Sequence, residues 1–272
     1  MIVGLKFILI FLIFVSLPSF ATTLKMGIFP YTDPIQIIKI HNDLRDFISK
    51  NLGVEVEIYT ANSFLQYYEN TKNNHYDIII TPPHFGAIHI IQGFVPVYRY
   101  DRFLSPVYVV REDSDIKEIK DFKNKKIALS NHVSISSISG LVEMSSEKID
   151  IKSTNIVNTK THQAAVTSVI FGESDVAITT HTPINQMSNN IDMSKIKVIE
   201  GEIKVPHVFT LASPNLDKET VVKLKTILKD FEATKEGKEF FTKTGFLGYT
   251  DITKKDLDSL IMFIIETKKF IE

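Results

Sequence analysis

The chain has no cysteine. That excludes a disulfide framework and a lipid anchor carried on an N-terminal cysteine, and it leaves stability to the core alone. Neither sign of charge is in excess: 31 basic residues stand against 32 acidic ones, a net charge of −1. The basic surplus of a nucleic-acid binder is therefore missing. The lysines are scattered, apart from one C-terminal helical stretch that reads as a solvated face. The N-terminal apolar run, Phe7 to Leu17, covers eleven residues where a membrane span needs roughly 20. It follows Lys6 and precedes Pro18 and Ser19-Phe20-Ala21, the layout of a cleavable secretory leader cut after Ala21.

Two further absences bear on chemistry. No nucleophile elbow surrounds the serines at 136–139, and no base with its orienting partner is identifiable, which argues against a serine enzyme. His84, His162, His181 and His207 could converge on a metal such as zinc, but none shows the short paired spacing of a metal motif. The residues call for no cofactor and no bound metal.

What is present is a core-forming composition, 44% hydrophobic over the whole chain, enough in about 250 mature residues for one large domain or two lobes. Short β-branched runs alternate with segments of helical period. Leu24–Phe29, Val54–Tyr59 and Asp77–Thr81 read as strands, with helices at Pro34–Leu52 and Ser63–Lys72 between them. The same rhythm returns from Lys126 to Thr180, and Tyr76-Asp77-Ile78-Ile79-Ile80-Thr81 is echoed by Ser174-Asp175-Val176-Ala177-Ile178-Thr179. Two similar α/β units follow, each a mostly parallel sheet covered by helices. Asp217–Thr234 and Thr253–Lys269 read as closing helices, with a short one over 235–241 between them. Tyr67-Tyr68 and Phe240-Phe241 read as packing, and the stretch from Tyr98 to Arg102 as a strand edge or a hinge neighbour.

In open parallel sheets ligands sit beyond the carboxyl ends of the strands. Here those ends are polar: Pro30-Tyr31-Thr32-Asp33, Thr81-Pro82-Pro83-His84-Phe85, Ser130-Asn131-His132 and Thr179-Thr180-His181-Thr182. The most pointed local feature is Ser134-Ile135-Ser136-Ser137-Ile138-Ser139-Gly140, placed where a helix should begin. A helix start offers unpaired N–H groups and the positive end of the dipole, hydroxyls add donors, and Gly140 would let a ligand approach. Such a segment reads as a cradle for an anion. Thr161-His162-Gln163-Ala164-Ala165-Val166 is a second helix start, with Thr161 as N-cap and His162 as a donor in the first turn.

These segments resemble, in order and spacing, the periplasmic solute-binding proteins of phosphonate, phosphite and phosphate ABC transporters, within the type II periplasmic-binding-protein fold. The resemblance runs over nearly all of the mature chain. It rests on Lys123-Asn124-Lys125-Lys126-Ile127-Ala128 leading to Ser136-Ser137-Ile138-Ser139-Gly140, then on His162-Gln163-Ala164-Ala165-Val166 and Gly172-Glu173-Ser174-Asp175-Val176-Ala177. It implies a two-lobed α/β protein with a two-strand hinge, lobe 1 taking residues 22–105 plus 208–272 and lobe 2 residues 106–207. The crossings are expected near Leu104–Pro106 and Pro206–Phe209.

The resemblance further implies oxyanion contacts from Ser137, Ser139 and His162, and a lobe-1 contact at Phe85. Phenylalanine has no hydroxyl, so His84 or Tyr31 is expected to substitute. Family members often carry threonine where this chain has Ile138, leaving only a backbone donor there. Thr81, Ser136, Thr180, His181 and His207 complete the expected ligand set. Donors stand at Thr180-His181-Thr182-Pro183 and Val205-Pro206-His207, where binders of aminophosphonates would need carboxylates, so the expected ligand is phosphite, phosphate or a small alkylphosphonate. The implied protein is a periplasmic monomer with no enzymatic activity, delivering its ligand to an inner-membrane ABC permease. A membrane sensor kinase as partner, or metal capture by the histidines, are the alternatives.

Overall fold

The computed structural model describes residues 23–151, 154–187 and 191–271. The leader expected at 1–21 lies outside the described residues. In chain order the first unit runs β1 (Leu24–Ile28), α1 (Pro34–Leu52), β2 (Val56–Tyr59), α2 (Phe64–Lys72), β3 (Ile78–Thr81), α3 (Pro83–Ile91) and β4 (Val95–Tyr100). After β5 (Phe103–Leu104), the second comprises β6 (Val107–Arg111), β7 (Lys126–Leu129), α4 (Ile135–Ser146), β8 (Asn155–Asn158), α5 (His162–Ile170), β9 (Val176–Thr179), α6 (His181–Met187) and β10 (Ile196–Glu200). The chain then returns through β11 (Val205–Pro206) to β12 (Phe209–Ala212), α7 (Lys218–Ala233), α8 (Lys235–Thr244), β13 (Tyr249–Thr250), α9 (Lys254–Ser259) and α10 (Ile261–Ile271).

Local chemistry sets these elements. α1 starts at Pro34 because Asp33 caps it, accepting from the Gln36 N–H at 3.0 Å, and it stops at Gly53, which takes the left-handed φ of 71°. Ile37, His41, Leu44 and Ile48 fall on its buried face. β3 is buried at every residue, Ile78 to Thr81, as a strand covered on both faces must be.

Two sheets result. The six-stranded one has the order β13-β4-β12-β3-β1-β2, and the five-stranded one β10-β6-β9-β7-β8. In each, three strands run parallel about a central β1 or β7, and the next strand, β12 or β6, is antiparallel to its neighbour. The echoed hexapeptides sit at the same place in the two sheets, and their aspartates do the same job. Asp77 Oδ2 accepts from the Lys25 N–H at 2.8 Å, and Asp175 Oδ2 from the Lys126 N–H at 2.7 Å. Each thereby ties the start of β3 or β9 to the start of the strand beside it.

The two passages between the sheets lie side by side as the antiparallel pair β5 and β11. The units also touch through side chains. Val133, Ile135 and Ile138 of the second unit share one hydrophobic cluster with Phe64, Phe85 and Ile88 of the first. His84 donates Nε2–H to the Val133 carbonyl at 2.9 Å.

The C-terminal segment differs from the single helix expected over Thr253–Lys269. It is two helices, α9 and α10, broken at Leu260. Leu260 is fully buried in the cluster shared by both units, and the break is what turns it and Phe263 inward. Among the described residues no helix is long and apolar enough to cross a membrane.

Candidate ligand-binding cleft

A cleft of ≈ 100 Å³ opens between the two units. Its second-unit wall is made of helix starts. Ser134 caps α4: its Oγ accepts from the Ser137 N–H at 3.2 Å, while its carbonyl takes the Ile138 N–H. That leaves the first two amides of the helix, those of Ile135 and Ser136, without an intrahelical acceptor. Both residues line the cleft. α5 starts beside it, with Thr161 Oγ1 accepting from the Ala164 N–H at 3.0 Å. His162 is its first residue, and Thr180, Thr182 and Pro183 bring the start of α6 to the same wall.

The hydroxyls behind this wall are connected. Ser134 Oγ lies 3.4 Å from Ser130 Oγ, 3.2 Å from Ser136 Oγ and 2.8 Å from Ser137 Oγ. His162 bridges two strand ends, Nε2 at 3.3 Å from Ser130 Oγ and Nδ1 at 3.1 Å from Thr179 Oγ1. Burial lowers its pKa from 6.5 to about 4, so the ring is neutral at pH 7.

The first-unit wall is different. Phe29, Tyr31, Phe64, Tyr100 and Phe246 supply rings, and His41 and His207 stand among them. Tyr31 OH lies 3.2 Å from His41 Nε2. Burial holds both imidazoles far below their ordinary pKa, at about 3, and neighbouring Arg102 and Arg99 push His207 the same way. Among the described residues no Asp, Glu, Lys or Arg lines the cleft.

Of the residues expected from sequence, Tyr31, Ser136, His162, Thr180 and His207 line this one cavity. The others lie elsewhere. Strand alternation turns Thr81 away between Ile80 and Pro82, which do line the cleft. Phe85 is fully buried among Tyr68, Phe64 and His84, and so packs rather than faces a ligand. His84 is buried and bonded to Val133, with a pKa lowered to about 4 by burial. Ser137 is fully buried against Ser134, and Ser139 is 1% exposed with its Oγ unpartnered. Ile138, where family members often have threonine, packs into the cluster between the units.

His181 points outward to Glu200 at 2.9 Å with its side chain 42% exposed. Gly140, expected to admit a ligand, admits the sheet instead. A Cβ there would lie 2.5 Å from Ile178 Cγ2, so glycine lets α4 settle on β9. Among the described residues no group of three or more His, Asp or Glu is placed to hold a metal.

Sequence reasoning missed His41, Tyr100 and Phe246 on the first-unit wall. A signal existed for His41, a histidine on the otherwise apolar stripe Ile37, Leu44, Ile48 of α1. Tyr100 was visible as the end of a strand but indistinguishable from core. Phe246 follows Gly245 in the returning segment, where no motif marks it.

Two α/β units joined by a paired double crossing, with a cleft between them, define a type II periplasmic binding protein. Solved structures agree on this fold. PhnD1 from Prochlorococcus marinus, in complex with methylphosphonate, aligns with a TM-score of 0.79 at 16% identity, covering 91% of this chain and 99% of that one. A binding-protein component of an ABC phosphonate transporter from Pseudomonas aeruginosa gives 0.78 at 14% identity, over 91% and 87%. A Xanthomonas citri protein bound to ATP gives 0.75 at 13% identity, over 91% and 97%. No curated protein sequence matches the chain. The sequence profile described as "ABC transporter, phosphonate, periplasmic substrate-binding protein" matches residues 26–257. The chain belongs to that family, the extracytoplasmic substrate-binding components of phosphonate ABC transporters.

Proposed function

We propose that this chain captures a small phosphorus oxyanion, namely phosphite, phosphate or a short alkylphosphonate, and presents it to the permease of an ABC importer. The observation that carries the reading is the α4 start: Ile135 and Ser136, whose amides have no intrahelical acceptor, line a small cleft with no Asp, Glu, Lys or Arg among its described lining residues. An anion there meets N–H groups, hydroxyls and a dipole end, and no carboxylate repels it. Charge-assisted hydrogen bonds are about twice as strong as neutral ones, and a micromolar ligand needs only about −8 kcal/mol in all. A cleft of ≈ 100 Å³ is smaller than the about 150 Å³ cavity that takes benzene. That size suits a ligand of a few heavy atoms and not a nucleotide.

In this reading lobe 1 is residues 22–105 plus 208–272, lobe 2 is 106–207, and β5 with β11 is the hinge. Closure traps the ligand because both walls touch it only in the closed form. Met1 to Ala21 is the cleaved leader, and the exported monomer is free of lipid. The protein binds without turnover. His162 is flanked by the neutral hydroxyls of Ser130 and Thr179, not by a carboxylate that would orient it as a base.

Thermal-shift titration tests this. Phosphite, phosphate or methylphosphonate at 100 times its dissociation constant should stabilise the protein by about 2.7 kcal/mol. A protein indifferent to all three but stabilised by zinc would refute the reading.

A further inference from the structure

The C-terminal pair α9 and α10 runs from the crossing strands out to the second unit. Its root is fixed at the hinge. Asp256, in the first turn of α9, accepts from the Thr253 N–H and hydroxyl at 2.8 Å each and from Arg99 Nε at 3.1 Å. The ion pair is buried, its side chains 10% and 6% exposed. The Arg99 guanidinium in turn lies 5.1 Å from the centre of the Phe103 ring in β5, and α9 packs on β11. Beyond the break at Leu260, α10 lies against α3 of the first unit and α4 of the second at once. Its last turn carries Phe270, whose ring stacks on His132 with centres 5.8 Å apart and planes 8° from parallel.

His132 sits in the loop that leads into α4. Asn131 Oδ1 accepts from the Val133 N–H at 2.9 Å, the Asn131 carbonyl takes the Ser134 hydroxyl at 3.1 Å, and Ser134 caps the helix. The first unit grips the same loop from another side, through His84 and the Val133 carbonyl. Neither Phe270 nor His132 lines the cleft. A contact between the units that lies outside the cleft favours closure with or without ligand, because opening must break it. With its root held by Arg99, α10 gives way at α4 and at the 130–134 loop when the units part. Phe270 is 46% exposed, so removing its ring empties no core space.

Building on the oxyanion reading, we infer that α9 and α10 form a strap between the lobes, whose outer end, the Phe270–His132 stack, favours the closed form and lengthens the ligand's stay. The chain has no cysteine, so one introduced at exposed Lys39 in α1 and one at exposed Lys117 in the second unit carry a spin-label pair that reads opening as a distance. Without ligand, Phe270→Ala and His132→Ala should each raise the ratio of open to closed molecules about threefold to tenfold, as for loss of one aromatic pair. Saturating methylphosphonate should restore the closed distance, and it should dissociate faster from each variant by the same factor. The double variant should open no further than either single one, since both remove one contact. Phe270→Tyr, which keeps the ring, should match the unaltered protein. Unchanged distances and dissociation rates in both alanine variants would overturn the strap and leave the oxyanion reading intact, as would a lowered melting temperature with no opening. Failure of the unaltered protein to bind methylphosphonate, phosphate or phosphite would overturn the oxyanion reading, while the ligand-free distances would still decide the strap.

Discussion

The two walls of the cleft solve the same problem with opposite materials. The lobe-2 wall is backbone and hydroxyl: three helix starts, a serine network through Ser134, and His162 strung between Ser130 and Thr179. The lobe-1 wall is ring upon ring, with imidazole edges set among phenyl groups. Yet the sheets behind them share the order of five strands, β13 being extra in the first, and one aspartate joint, at Asp77 and at Asp175. Two copies of a scaffold have therefore kept their folding chemistry and parted in their binding chemistry. The difference sits in the segments after the strands, where side chains can change without disturbing the ladder.

The comparison can be broken in several places, and acid gives the largest expected effect. His41 and His207 on one wall, His162 on the other, and His84 and His89 behind them all have pKa values lowered from 6.5 to between about 3 and about 4 by burial. The unfolded chain then binds more protons than the folded one below pH 6.5, so stability rises with pH through that window. It should be complete above pH 7 and lost, by on the order of several kcal/mol in total, as pH falls toward 4. Melting temperatures across pH 4–8 measure it. A flat profile would show that neither wall holds its rings neutral.

Phe85→Ala comes next, at a cost of about 3–5 kcal/mol by chemical denaturation, as for a fully buried ring. The folded fraction should keep its oxyanion affinity within about threefold, because Phe85 supports the lobe-1 wall from behind. A selective loss of affinity would return it to the ligand's contact list. Ser136→Asp attacks the other wall. A carboxylate beside the free amides of α4 occupies the anion's place, and affinity should fall by about a hundredfold or more, some 2.7 kcal/mol. Unchanged binding by titration would move the anion elsewhere. His181→Ala is the smallest: its exposed pair with Glu200 should alter stability by less than about 1 kcal/mol and affinity not at all.

Much of this architecture could be read from the letters, for identifiable reasons. Strands such as Ile78–Ile80 announce themselves by unbroken β-branched residues, and the echoed aspartate marks the repeat because its task is the same in both sheets. The lobe-2 wall was legible because a helix start needs particular residues in sequence, as Ser134 and Thr161 supply. Facing could not be read so well. Ser136 and Ser137 are neighbours with the same side chain, and only the helical turn puts one on the cleft and the other behind it. The lobe-1 wall was illegible for a deeper reason. His41, Tyr100 and Phe246 come from three distant segments, and aromatic residues lining a cavity have the same composition as aromatic residues filling a core. The kink at Leu260 was hidden likewise, since helical period continues through it.

A crystal structure of the mature protein with methylphosphonate tests the central claim most directly. Phosphoryl oxygens should lie about 3 Å from the amide nitrogens of Ile135 and Ser136, with the methyl group directed toward Tyr100 and Phe246. A phosphorus atom seated against His41 and His207, with the α4 amides left to water, would contradict it.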